Sequence, residues 1–151
     1  MAKRLKLCMI SSSGGHYEEL GMLKKLGQNH DLFWVTEQTS YRDAADYYLL
    51  QTDTKDVYML VKMLINGFLS VRFWLKERPQ IVVTTGTLVA FPACLLAKLL
   101  RKKVIFIESF SRIHDGTRAG RILYKVADLF IYQWETLADI YPDGIYGGSI
   151  F

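Results

Sequence analysis

The chain has 151 residues, of which 50% are apolar and 23% charged, with a formal net charge of +4. This composition excludes an intrinsically disordered chain and fits one domain with an ordinary core. Nothing recurs at a fixed period, which excludes a solenoid, and no Pro-, Gly- or Ser-rich stretch marks a boundary, so residues 1–151 read as a single unit.

Two cysteines, Cys8 and Cys94, each lie in an apolar run, with no CxxC and no histidine nearby at ligand spacing. They read as reduced core residues of a cytosolic protein, and no metal-ligand cluster is predicted. Lys3, Arg4 and Lys6 form one basic cluster and Arg101, Lys102 and Lys103 another. Each suits lipid phosphates as well as it suits a solvated strand end, but neither has interleaved aromatics, which argues against nucleic acid. Leu5 to Ile10 is too short for the core of a signal peptide. The longest apolar segment, Val57 to Leu75, is interrupted by Lys62, Asn66 and Arg72 and gives no membrane span.

In chain order, Leu5 to Ser11 predicts a first strand that ends in a Ser/Gly turn and leads into a helix through Leu20, Leu23 and Leu26. Asp31 to Glu37 predicts a second strand and Tyr47 to Gln51 a third, with a loop carrying Thr39, Ser40, Arg42 and Asp43 between them. A long helix runs from Asp56 to Glu77 and stops at Pro79; its polar stripe is only Lys62, Asn66 and Ser70. Such a helix is packed deeply, the commoner outcome, or touches a membrane or a partner. Ile81 to Thr85 is the next strand, Val89 to Leu100 a helix, Val104 to Ile107 a strand, Ala119 to Val126 a helix, Leu129 to Tyr132 a strand, and Trp134 to about Ile140 a helix closed by a turn at Tyr141 to Gly144. Continuous apolar strands alternating with helices predict an α/β fold, a parallel sheet covered on both faces. In such sheets chemistry is sought in the loops after the strands.

The first of these loops, Ser11 to His16, lets backbone N–H groups approach an anion at a helix start, yet it is neither GxGxxG nor a P-loop. A tight turn explains it nearly as well. His16 is placed to donate to a phosphate or act as a base, with Glu19 one turn later; a capping histidine beside a solvated glutamate is the competing reading. Thr84 to Thr87 is a small, hydroxyl-rich strand end that reads as a cradle or simply a turn. Glu108, directly after Val104 to Ile107, is the carboxylate whose position favours function, since a charge there is costly unless paired; Arg112 is the nearest candidate partner in sequence. Gln133, Trp134 and Glu135 line the same edge or, for Trp134, pack.

The run Ser12-Ser13-Gly14-Gly15-His16-x-x-Glu19, the Thr-Thr-Gly-Thr stretch before Pro92, Phe106 to Arg112, Ala127 to Phe130, Gln133-Trp134 and Tyr146-Gly147-Gly148 together resemble one family. It comprises the membrane-anchor subunit of the dolichol-pathway UDP-N-acetylglucosamine transferase and its bacterial counterparts in capsular and exopolysaccharide synthesis, and nearly the whole chain is covered. The family is similar to the N-terminal half of GT-B glycosyltransferases, so the resemblance implies a Rossmann-like, acceptor-side domain. It further implies a sugar-nucleotide-binding partner subunit, a polyprenyl-diphosphate-linked acceptor, an anionic membrane surface and an inverting transfer from a UDP-sugar without a cofactor. Carried over by position, it makes Glu108 and His16 the catalytic candidates. Ser13, Gly14, Gly15, Glu19, Thr85, Gly86, Ser109 and Arg112 become the acceptor- or phosphate-binding ones.

Eukaryotic members begin with a transmembrane segment, whereas this chain goes straight from Met-Ala-Lys-Arg-Leu-Lys into a strand. The bacterial type is the better match, and peripheral attachment at the cytoplasmic face of the membrane is expected, through the basic clusters and an apolar patch. The competing reading is a scaffold that recruits the true transferase. A free-standing nucleotide-binding module is disfavoured, because Glu37 after the second strand lacks the glycine fingerprint upstream.

Overall fold

The computed structural model describes residues 3–40 and 43–151; Met1, Ala2, Tyr41 and Arg42, the last within the loop expected after the second strand, lie outside the described residues. The strands are β1 (Lys6–Ile10), β2 (Asp31–Gln38), β3 (Tyr47–Leu50), β4 (Ile81–Thr84), β5 (Lys103–Ile107), β6 (Leu129–Tyr132) and β7 (Ile145–Tyr146). They form one seven-stranded sheet in the order β3-β2-β1-β4-β5-β6-β7, and every pairing is parallel. The order reverses between β1 and β4, and the crevice beyond the carboxyl ends at such a switch point is where this architecture binds ligands. The predicted α/β, Rossmann-like class is therefore the observed one.

Alternation along each strand builds two cores, because successive side chains leave opposite faces of the sheet. Cys8, Ile10, Val35, Val82, Val104 and Phe106 point into the larger core. Leu7, Met9, Val83 and Ile107 point into the smaller one. Helices α2 (Met59–Glu77), α3 (Phe91–Leu99) and α4 (Arg118–Leu123) contribute Phe73, Cys94 and Leu123 to the larger core. Helix α1 (Gly15–Gly21), continued by a 3₁₀ stretch at Met22–Gln28, covers the smaller with Leu20. Both cysteines are buried and free, as expected of core residues, and burial pushes the Cys94 thiol up to about 12.

Helix α2 starts later than predicted, because Asp56 instead caps a turn in which its Oδ1 accepts the Tyr58 N–H at 2.8 Å. It ends as predicted: Arg78 takes a left-handed φ of 50° and Pro79 follows, a combination that cannot continue a helix. The favoured reading of deep packing is overturned. The polar stripe faces inward, with Asn66 and Ser70 both 0% exposed, while Leu64 and Phe68 are 68% and 79% exposed. Asn66 docks the helix on the end of β3, its Oδ1 accepting the Leu50 N–H at 2.8 Å and its Nδ2 donating to the Leu50 carbonyl at 2.9 Å.

Two other predictions fail locally. The helix expected from Trp134 to Ile140 is only a 3₁₀ turn at Glu135–Leu137, and β7 was not foreseen. Among the described residues, no helix is long and apolar enough to cross a membrane.

Candidate functional site at the carboxyl edge of the sheet

The loops after β1, β4, β5 and β6 meet beyond the switch point. After β1, Gly14 adopts φ 77°, a region that a side chain disfavours. Its N–H donates to Asp43 Oδ2 at 3.0 Å, and its carbonyl accepts the first helical N–H groups, those of Tyr17 and Glu18. A side chain added at Gly14 or Gly15 would meet nothing within 4 Å, so this backbone borders open space wide enough for a ligand to approach. Ser13 Oγ accepts a hydrogen bond from Thr39 Oγ1 at 2.9 Å.

Thr85 ties the β4 loop to this turn, its hydroxyl donating to the His16 carbonyl at 2.8 Å. Gly86 (φ 112°) and Thr87 (φ 83°) follow in strained backbone, and strain of this kind persists where the surroundings impose it, often at binding sites. Thr87 Oγ1 and His16 Nδ1 are enclosed yet have no hydrogen-bond partner among the described residues. Buried polar atoms left unpaired are uncommon and call for a reason.

Glu19 supplies one. Only 3% exposed, it holds Oε2 at 3.9 Å from His16 Nδ1, just beyond hydrogen-bond range. Its Oε1 accepts the Phe110 N–H at 2.8 Å and a short bond from Gln133 Nε2, while Ser109 Oγ approaches Oε2 at 3.4 Å. Burial pushes this carboxyl above its ordinary value, opposed by the Phe110 N–H, the Gln133 amide and the facing His16. The "solvated glutamate" reading of Glu19 is thereby corrected. The His16 side chain is 29% exposed, so the pair has one member in the interior and one reaching the crevice.

Glu108 lies elsewhere than its candidate role requires. It is 0% exposed, and its carboxylate is enclosed by donors: the Ser109 N–H at 3.0 Å, the Thr117 N–H at 3.1 Å and hydroxyl at 2.9 Å, and the Tyr141 hydroxyl at 2.6 Å. A general base must reach the proton that it removes, and this one faces the protein interior. Burial and the neighbouring carboxylate push the Tyr141 phenol well above its ordinary value, which keeps it protonated as a donor.

The expected pairing with Arg112 is also corrected. That guanidinium instead meets Asp115 at 3.2 Å on the surface. Sequence reasoning missed Thr117 and Tyr141. The only signal was Thr117 as the residue before α4, where its hydroxyl accepts the Gly120 N–H at 2.8 Å as a helix cap.

Trp134 packs, 5.0 Å ring to ring from Phe110, with its indole N–H on the Phe110 carbonyl at 2.7 Å. Glu37 holds the residue after β3, its Oε1 accepting the Thr52 N–H at 3.0 Å and hydroxyl at 3.1 Å. Among the described residues no group of three or more His, Cys, Asp or Glu side chains could hold a metal ion.

Comparison with known proteins places this geometry in context. Residues 53–150 match the family model described as oligosaccharide biosynthesis protein Alg14 like. The UDP-N-acetylglucosamine transferase subunit ALG14 of Homo sapiens is 27% identical over 181 residues, spanning 97% of this chain and 83% of the relative. That of Rattus norvegicus is 38% identical over 79 residues, 48% of this chain and 37% of the relative. Among solved structures, Acinetobacter baumannii MurG superposes with a TM-score of 0.71 at 20% identity, over 87% of this chain and 42% of that one. UDP-GlcNAc 2-epimerase from Neisseria meningitidis, bound to UDP-GlcNAc, gives 0.72 at 12% identity, over 97% and 47%. These likenesses establish a fold shared with GT-B proteins, and the chain spans less than half of either solved protein.

Proposed function

The chain belongs to the Alg14-like family of oligosaccharide biosynthesis proteins, and from that premise we propose that it is the acceptor-side subunit of a two-component UDP-N-acetylglucosamine transferase. A sugar-nucleotide-binding partner completes the enzyme, and the acceptor is a polyprenyl-diphosphate-linked saccharide on its way to a lipid-linked oligosaccharide, a capsule or an exopolysaccharide. The observation that carries this reading is the convergence of the β1, β4, β5 and β6 loops on an open glycine turn beside His16, whose ring is backed by a buried carboxylate.

In this proposal the Ser13–Gly15 backbone, with Thr85, Gly86 and Thr87, receives the acceptor diphosphate. His16 takes the acceptor's proton through Nε2 as the hydroxyl oxygen attacks the anomeric carbon and the UDP leaves from the opposite face. Glu19 stabilises the imidazolium that forms. Glu108 becomes a structural anchor: with Thr117 and Tyr141 it fixes the loop that carries Ser109 and Phe110. Ser109 buttresses Glu19, and Arg112, paired with Asp115 on the surface of the same loop, exchanges that partner for the acceptor or the second subunit.

The exposed apolar side chains of α2 and α3 supply the membrane face. Leu60, Leu64, Phe68 and Leu99 border a groove of about 650 Å³ between the two helices. No acidic residue occurs between Val57 and Lys76 or between Leu88 and Lys103, while Arg72, Arg101 and Lys102 do; Lys98 is held by Asp128 at 3.0 Å. An apolar surface bordered by these cations suits an anionic bilayer, where each contributes roughly 1 kcal/mol.

The test is transferase activity with a lipid-linked acceptor and UDP-N-acetylglucosamine, assayed with this chain alone, the partner alone and both together. Activity only in the mixture is expected; activity of this chain alone overturns the half-enzyme reading. The scaffold reading is separated by His16→Gln, which under that reading leaves turnover of the mixture intact.

A further inference from the structure

Gln133, the residue after β6, is 3% exposed and touches no open space, yet it joins three parts of the molecule. Its Nε2 donates to Glu19 Oε1 and to the Glu108 carbonyl at 2.9 Å. Its Oε1 accepts the Ile150 N–H at 2.8 Å. The orientation of this amide is dictated by its partners. A carboxylate and a carbonyl can only accept, and a backbone N–H can only donate, so exchanging the oxygen and nitrogen would spoil all of these bonds.

The consequence falls on Glu19. With Oε1 pinned by Gln133 and the Phe110 N–H, the other oxygen is left facing His16 Nδ1. A carboxylate placed there selects the imidazole tautomer with hydrogen on Nδ1 and leaves Nε2 free to accept a proton.

We propose that Gln133 is a positioning residue for His16: it aims Glu19 at the ring and, through Ile150, makes that aim depend on where the segment after β7 lies. This inference rests on the reading that His16 takes the acceptor's proton. The segment also touches the loop after β5 directly, the Phe151 ring packing edge-on against Phe110 at 5.3 Å. A partner that displaces it would loosen the amide that orients Glu19. The other groups around His16 are Asp43, from the β2–β3 connection, bound to the Gly14 N–H, and the neutral Thr85 and Ser109 from the β4 and β5 loops. Glu19 is thus the anion whose placement governs the ring.

The experiment is nitrogen-15 NMR of the imidazoles in the full chain, which has only three histidines; the His16 signal is identified by its loss in His16→Gln, and its two ring nitrogens report which tautomer the neutral ring holds. Glu19→Gln sets the full effect, a smaller share of the tautomer with hydrogen on Nδ1. Gln133→Met, close in shape but without hydrogen bonds, is expected to reduce that share in the same direction. Ile150→Pro, which removes the N–H on the far side of the amide, is expected to follow with a smaller change. A tautomer balance at His16 unchanged from wild type in folded Gln133→Met overturns the proposal; should that variant not fold, an unchanged balance in Ile150→Pro does so. Because no substrate is involved, the two readings fail separately. A changed balance in Gln133→Met together with full turnover of His16→Gln would sustain the positioning role and remove His16 from the chemistry.

Discussion

The α2–α3 face and the carboxyl-edge loops break opposite rules. On the first, large apolar side chains stand in solvent while the polar Asn66 and Ser70 are buried beneath them. At the second, the carboxylates Glu19 and Glu108 are buried while the glycine backbone is open. Each arrangement costs free energy in an isolated soluble domain, and each is intelligible if its missing half is another component: a bilayer for the first, an acceptor and a donor subunit for the second. The comparison also separates two buried carboxylates that look alike in sequence. Glu108 is surrounded by donors and serves the fold, whereas Glu19 keeps one oxygen turned toward a histidine that reaches the crevice.

The largest effect that would sharpen this contrast is on chemistry. His16→Gln is expected to lower turnover of the proposed two-subunit enzyme by roughly 10²–10⁴-fold, the range for loss of a general base, with complex formation unchanged by gel filtration. Next comes the anchor around Glu108. A methyl at Gly120 would lie 2.2 Å from Glu108 Oε2 and 2.9 Å from the Tyr141 hydroxyl, so Gly120→Ala is expected to destabilise the fold by about 1–3 kcal/mol, read by denaturant unfolding. An unchanged midpoint would mean that the cluster is soft.

The proposed membrane face should respond without affecting the fold. Phe68→Asp is expected to weaken binding to anionic vesicles by roughly tenfold or more, since a buried aromatic contributes about 1.5–3 kcal/mol, and to leave the thermal midpoint within a few degrees of wild type. Binding that survives this change, or that is indifferent to salt, would contradict the bilayer assignment.

The smallest effect is electrostatic and lies away from both regions. Burial pushes the Asp128 carboxyl up, but the Val104 N–H and the ammonium groups of Lys103 and Lys98 outweigh it and bring it from 3.8 to about 2. A carboxyl lowered on folding stabilises the native state above its unfolded value and loses that contribution as pH falls through its folded value. Asp128→Asn should therefore cost roughly 1–2 kcal/mol near neutral pH, after allowance for the exposed lysines, with the difference from wild type vanishing toward pH 2.

Much of this was legible in the sequence because it is local or periodic. The apolar run of β1, the β-branched runs of β4 and β5, Pro79 and the glycine turn announced the strands and the loops that matter. What was not legible depends on partners distant in the chain. The inward stripe of α2 is explained by Asn66 meeting Leu50, and the enclosure of Glu108 by Tyr141, 33 residues away. The helix expected after Trp134 gives way where Leu137 and Tyr141 are drawn into the core, a tertiary demand that outweighs local propensity. β7 has only the residues Ile145 and Tyr146, both exposed, too short a run to carry a period.

The central claim is that this chain holds the acceptor and not the donor. Calorimetry of the isolated chain against a short-chain polyprenyl-diphosphate saccharide and against UDP-N-acetylglucosamine tests it most directly. Binding of the lipid-linked ligand alone, weakened when the Gly14–Gly15 turn is replaced by alanines, is the predicted result. Tight binding of the UDP-sugar to the isolated chain, with none of the acceptor, would contradict it.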